Sequence, residues 1–311
     1  MKKSKKSTWR WVLKDINCVA RSLHTLPGAF GNLFKHYKHS EINPDNYENS
    51  SDYANMILTP IIPTSKLLKS ETDYDGSQRV SIDESDLVDD GSVWFFINGI
   101  ATSPELSKVN ARKIAEIFKR EIHLLYNPSD SIPFDLIECI MDRTFKMGTK
   151  VTQSMYKVLL KALDDYEKVV IISHSQGGII AAELVNKLVK DIDYEHLSEK
   201  LEVYTFASAT NYMLKNEKKS LEKGSLIPHI EHFANTKDFI SKIGVLHYKD
   251  DVAGHLYTNE NSGHLLNIHY LVQFLNGEFG TDNKLFSYIP KETDIENEIV
   301  DLKNIKGIDS N

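Results

Sequence analysis

The chain has 311 residues, of which 41% are hydrophobic and 26% charged, an ordinary balance for a globular protein with room for a sizeable core. Its two cysteines, Cys18 and Cys139, exclude a disulfide framework, and no CxxC or Cys/His spacing marks a zinc site. No stretch approaches eighteen uninterrupted apolar residues, so no bilayer-spanning helix is expected.

The net charge of -7 is unevenly distributed. Residues 1–38 carry nine Lys or Arg against a single acid, Asp15, so this arm stands at +8 and the remainder at -15. Such an arm suits an anionic membrane surface or the acidic body itself. Nucleic acid is not an expected partner, because the arm has no reading motif and the body is acidic. MKKSKKS looks like the charged start of a signal peptide, but Arg10, Lys14, Asp15 and Arg21 break the apolar run after it. No export signal is expected, and the chain reads as cytoplasmic, at most peripheral to a membrane.

Trp9, Val12, Leu13, Ile16, Ala20 and Leu23 recur at helical spacing before Pro27-Gly28. They describe either a surface-seeking amphipathic helix or a helix packed on the body. Residues 39–91 read as a polar linker with peripheral elements, polar and acidic over 39–55 and 69–91 around a short apolar piece at Met56–Leu68.

From residue 92 the pattern changes. Val93–Ile97 is a continuous apolar run, expected as a strand buried on both faces. After the turn Asn98-Gly99-Ile100, Ser103 caps a helix starting at Pro104, whose inner stripe is Leu106, Val109, Ile114, Ile117 and Phe118. Ile122–Tyr126 is a second strand, stopped by Asn127-Pro128. Val151, Met155, Val158, Leu159 and Ala162 mark a helix, Lys168–Ser173 a strand and Gly177–Val189 a helix. Val203–Ala207 and Ile230–Ala234 are further strands, and a helix over His264–Phe274 closes a core spanning 92–285. Residues 286–311 form an acidic tail. This alternation predicts an α/β fold, a three-layer α/β/α sandwich with a mostly parallel sheet.

The most informative stretch is Val169-Val170-Ile171-Ile172-Ser173-His174-Ser175-Gln176-Gly177-Gly178. A buried strand enters a helix without a loop, so Ser175 falls on a sharp turn where only small neighbours, here Ser173 and Gly177, fit two residues away. The turn leaves the Gln176 N–H at a helix N-terminus, aimed where negative charge would develop on a carbonyl oxygen. His174 diverges from Ser175 on such a turn and is expected to be structural. No GxGxxG or GxxxxGK[ST] accompanies it, so no nucleotide and no cofactor is expected.

This segment resembles the GxSxG nucleophile elbow of lipases and esterases of the α/β-hydrolase superfamily, with Ser173 in place of the first glycine. The resemblance implies the α/β-hydrolase fold and a Ser, acid, His order along the chain. On that order Asp238, in Asn235-Thr236-Lys237-Asp238 after the strand Ile230–Ala234, is the expected acid. It also suits a simple turn cap, and Asp250, Asp251 and Glu231 are the alternatives. His264, in Ser262-Gly263-His264-Leu265-Leu266 at a loop-to-helix junction, is the expected base, with His269, His255, His247 and His232 behind it. Metal binding by His255, His264 and His269 lacks HExxH spacing. A second oxyanion donor is expected at the Ile100 N–H, in a turn resembling the His-Gly-x of esterases, with Asn98 orienting the loop.

The resemblance covers about residues 92–277. It implies a serine hydrolase that cleaves a carboxylic ester, lipid or other acyl, through an acyl-enzyme intermediate. The alternative is a catalytically inactive hydrolase fold that serves as a binding module or membrane-surface interaction protein. Ser208–Leu226 reads either as a small lid or as a solvated loop.

Overall fold

A computed structural model describes residues 18, 21–22, 24–25, 37–58, 77–83, 86–100, 102–128, 150–192, 194–214 and 227–290. Most of the basic arm, including the helical stripe expected before Pro27, lies outside the described residues. So do 215–226 of the expected lid or loop and 291–311 of the tail. Among the described residues no helix is long and apolar enough to cross a membrane.

Among the described residues the frame is a seven-stranded sheet. In chain order its strands are β1 (Gln78–Val80), β2 (Ser92–Ile97), β3 (Ile122–Leu125), β4 (Lys168–His174), β5 (Leu201–Phe206), β6 (His229–Asn235) and β7 (His255–Asn259). Across the sheet they run β1-β3-β2-β4-β5-β6-β7. Only β1 is antiparallel to its neighbour; all other pairings are parallel. The described helices are α1 (Ser50–Leu58), α2 (Pro104–Phe118), α3 (Lys150–Asp165), α4 (Gly177–Asp191), α5 (Tyr194–Lys200), α6 (Phe239–Ile243) and α7 (Val272–Leu275).

Strand alternation sorts the side chains into two cores. Val93, Phe95 and Ile97 of β2, with Val169 and Ile171 of β4, face one way and meet Met155, Leu159, Ala181, Leu184 and Leu188 of α3 and α4. Trp94, Phe96, Val170 and Ile172 face the other way and meet Ile114, Phe118, Tyr270 and Phe274. The central strands are therefore apolar on both faces, as parallel strands covered by helices must be. The result is the expected three-layer α/β/α sandwich. The expected helix at Pro104 is present, with Ser103 as its N-cap accepting from the Leu106 N–H.

Three readings of the sequence need correction. The stretch 39–55 is no loose linker: Ser40, Glu41 and Asn43 are buried, and Ser50–Leu58 is helical. Its polar residues hydrogen-bond one another in tight turns, so polarity here does not imply solvation. The first part of the expected lid or solvated loop, Ser208–Leu214, is packed into the body, with Ser208 and Ala209 fully buried. The boundary at 285/286 also cuts a 3-10 turn, Leu285–Tyr288, whose Tyr288 hydroxyl donates to Glu202.

Helix α4 starts immediately beyond β4 and lies hard against β2. A Cβ placed on Gly177 would come 2.4 Å from the Ile97 carbonyl oxygen and 2.8 Å from that of Asn98. Backbone cannot yield as a side-chain tip can, so the Gly177→Ala variant should lose about 3 kcal/mol of stability, the upper end of ordinary overpacking. Urea unfolding checks this; an unchanged midpoint would mean that α4 is free to move away.

Candidate active site

Ser175 joins β4 to α4. Its φ is +58°, the left-handed region that side-chain-bearing residues rarely occupy and that is retained only when the surroundings over-determine it. Here they do. The Ser175 N–H donates to Phe206 O at 3.0 Å, extending the β4–β5 ladder. Its carbonyl accepts from the Gly178 and Ala209 amides at 3.0 and 3.1 Å. The buried Ser208-Ala209 stretch therefore helps to hold the turn.

The side chains of Ser175, His264 and Asp238 converge. Ser175 Oγ lies 2.9 Å from His264 Nε2, and His264 Nδ1 lies 2.9 Å from Asp238 Oδ2. A carboxylate facing Nδ1 fixes the proton there and leaves Nε2 as the acceptor for the hydroxyl. The serine is 2% exposed, whereas the His264 side chain is 18% exposed, so the site opens toward solvent at the imidazole.

Both carboxylate oxygens of Asp238 are hydrogen-bonded. Oδ1 accepts from the Ile240 N–H at 3.0 Å and caps α6. Oδ2 accepts from His264, from the Tyr270 hydroxyl at 2.7 Å and from the Ser241 hydroxyl at 3.1 Å. Burial pushes this carboxyl up, but His264 and these hydrogen bonds outweigh it and hold it below the ordinary carboxylate range. Burial and the Asp238 charge drive Tyr270 well above the usual phenol value, so it stays a donor. Tyr270 sits in a π-helical turn, Asn267–Leu271, that runs into α7. The helix expected from residue 264 is thus irregular in its first turns, and such turns recur at functional sites.

His174 holds His264 from behind. Its Nε2 donates to the His264 carbonyl at 2.8 Å, and the two rings lie 4.8 Å apart. Burial, reinforced by His264, pushes its imidazole down to about 3.

The turn after β2 lies beside the serine. A Cβ on Gly99 would fall 2.7 Å from Ser175 Cβ, so only glycine permits this approach. Asn98 is fully buried; it donates to the Gly99 and Asn127 carbonyls and accepts from the Asn127 N–H. The Asn127 side chain donates to Gln176 Oε1 at 2.7 Å. One amide network therefore ties the Ile100 turn, the end of β3 and the residue after Ser175 together. Gln176 precedes α4, where a helix leaves its amides without internal acceptors.

The alternative residues go elsewhere. Glu231 is buried and accepts from the Lys284 and Leu285 amides. Asp250 is exposed, and Asp251 anchors a turn through its backbone. His232 bridges Thr205 and the Ala253 carbonyl inside the fold, His255 is exposed at the start of β7, and the His247 ring packs on Tyr248. His269 accepts from the Leu265 N–H, and Gly263 lies against the His269 ring. Sequence reasoning missed Asn127, Ser241 and Tyr270. Asn127 was visible only as a strand stop, and Tyr270 only as one position of the helix over His264–Phe274.

Parallel sheet order, the serine on a strand-to-helix turn and the later acid and histidine together define an α/β-hydrolase fold. Comparisons with known proteins returned no matching family model and no matching curated protein. Among solved structures the chain is similar to the esterase Est22, at 11% identity and TM-score 0.39, over 74% of this chain and 76% of that one. It is also similar to a bacterial heroin esterase, at 10% identity and TM-score 0.39, over 74% and 78%. A third likeness is to alpha/beta hydrolase domain-containing protein 10 from mouse, at 11% identity and TM-score 0.35, over 75% and 93%.

His174 makes stability pH-dependent. It is neutral in the fold down to about pH 3 but protonates near 6.5 in the unfolded chain. Between those values the unfolded state binds the extra proton, so stability falls as pH is lowered through the window, by up to about 1.4 kcal/mol per unit. The His174→Gln variant should lose less stability than wild type from pH 6.5 to 4.5. Parallel unfolding curves measure this, and identical slopes would count against a neutral His174.

Proposed function

We propose that the protein is a serine hydrolase of carboxylic esters, with Ser175 as nucleophile, His264 as general base and Asp238 as the orienting acid. The observation that carries this reading is the continuous hydrogen-bonded line from Ser175 Oγ through both nitrogens of His264 to Asp238 Oδ2, each link 2.9 Å long.

Ser175 Oγ attacks the ester carbonyl carbon while its proton passes to His264 Nε2. Asp238, ionised and tied down by four donors, stabilises the imidazolium without taking the proton. The oxyanion accepts from the Gln176 and Ile100 amides, each such donor supplying about 3–4 kcal/mol. Collapse of the tetrahedral intermediate expels the alcohol, which takes the proton from Nε2 and leaves Ser175 acylated. Water then attacks the acyl group as His264 accepts its proton, and in the second collapse Nε2 returns that proton to Ser175 Oγ as the acid is released, restoring the serine.

For the substrate we assign a lipid or other acyl ester, supported by the +8 arm over residues 1–38, which suits an anionic lipid surface. Within the arm Cys18 is 5% exposed and packs among Ile179, Phe239 and Ile240. The densest charge of the arm is the lysine cluster Lys2, Lys3, Lys5 and Lys6.

Two tests follow. Ser175→Ala should abolish fluorophosphonate labelling and lower kcat on p-nitrophenyl butyrate by about 10⁴-fold or more; labelling that persists would show that another residue is the nucleophile. Reversing the four lysines to Glu should weaken co-sedimentation with phosphatidylserine vesicles by about 1 kcal/mol per charge at low salt, with hydrolysis of soluble esters unchanged. Equal sedimentation of the two proteins would sink the membrane assignment.

A further inference from the structure

Glu41 is a buried acid that the proposed reaction does not use. It is 2% exposed, and its Oε1 accepts from the Asn267 N–H at 2.6 Å across 226 residues of sequence. Asn267 opens the π-helical turn three residues after His264, and that turn carries Tyr270, the hydroxyl on Asp238. Glu41 Oε2 and Asn267 Oδ1 are both buried with no hydrogen-bond partner.

The acid is presented by a tightly bonded turn. Tyr47 donates to the Glu41 carbonyl at 2.6 Å, Tyr53 to the Ile42 carbonyl at 3.1 Å, and the Asn46 side chain to the Ser40 carbonyl at 2.9 Å. Burying a carboxyl is costly, and apolar packing would be the cheaper way to cover a helix end. What a carboxyl adds is an oxygen for the amides at the start of the turn, which the helix itself leaves without acceptors. Burial pushes the group up to about 7, against the pull of the Asn267, Glu41 and Ile268 amides and of His264. Among the described residues the Glu41 charge also acts on Tyr47.

We propose that Glu41 is a positioning residue, whose Oε1 pins the start of the turn after His264 and thereby keeps the imidazole and Tyr270 in line with Ser175 and Asp238. This rests on the reading of Ser175 and His264 as nucleophile and base. It adds a part of that site which lies outside the strand-helix core.

The test compares wild type, E41A and E41Q by two readouts. The first is kcat and KM on p-nitrophenyl butyrate. The second is the downfield proton resonance of His264 Nδ1–H, assigned by its absence in H264A and observable whether or not the enzyme turns over. E41A should lose about 10- to 100-fold in kcat, as expected for a displaced reacting group, with KM changed by less than about twofold, and its Nδ1–H resonance should broaden or vanish. E41Q keeps the oxygen and should recover to within about threefold of wild type with the resonance restored, because the amide to be satisfied is neutral.

If E41A keeps wild-type kcat and a sharp resonance, or if E41Q is as impaired as E41A, the positioning role is overturned. Should E41A not fold, Y47F, which frees the Glu41 carbonyl but keeps the carboxyl, is expected to broaden the resonance and lower kcat less than E41A; an unchanged resonance and rate in Y47F overturns the role. A wild-type protein that neither labels nor turns over defeats the hydrolase reading alone, and the resonance still decides the case of Glu41.

Discussion

Every functional distance in this molecule follows from the backbone at residue 175. The chain leaves β4 and enters α4 with no intervening loop, which forces Ser175 to a φ of +58°. The helix must pass within contact of the Ile97 carbonyl. Such a conformation is unfavourable by itself and survives because three hydrogen bonds to the Ser175 backbone and the absence of side chains at 99 and 177 over-determine it. The sheet on either side, apolar on both faces, makes that turn rigid. The serine oxygen thus has one address, and the rest of the site is arranged around it.

The arrangement comes in layers. The central one is Ser175, His264 and Asp238. Around it lie groups that fix orientation: His174 on the His264 carbonyl, Tyr270 and Ser241 on Asp238, and Asn98 and Asn127 on the loop beside the serine. The second layer decides whether the first is held closely enough for chemistry, since a misplacement of about 1 Å can cost about 10²-fold in rate. Three of its members, His174, Asn98 and Asn127, stand at the carboxyl ends of β4, β2 and β3, where open parallel sheets gather their ligands.

The sequence made the centre of this site legible and left its periphery obscure. Val93–Ile97, Lys168–His174 and Leu201–Phe206 are buried on both faces and so carry strong apolar signals. The edge strands β1 and β7 do not, because Gln78–Val80 and His255–Asn259 expose much of their surface and lack an apolar run. Ser175, Asp238 and His264 could be picked out because steric and chain-order requirements restrict them. Glu41, Tyr270 and Asn127 could not: their partners lie 226, 32 and 49 residues away, and no local pattern encodes such a contact. Polarity misled over 39–55 and 208–214, where hydrogen bonding within the protein takes the place of water.

The burial of Cys18 against Phe239, Ile240 and Ile243, and of Glu41 against Asn267, joins one end of the chain to segments more than two hundred residues further on. On a ribosome, residues 18–43 would emerge long before those partners exist. The apolar and carboxyl groups that later sit beside the acid and the histidine would wait exposed while the central strands collapse. Closing loops of this length carries an entropy cost that local contacts do not, so Cys18 and Glu41 find their places only once the distant segments that receive them have formed.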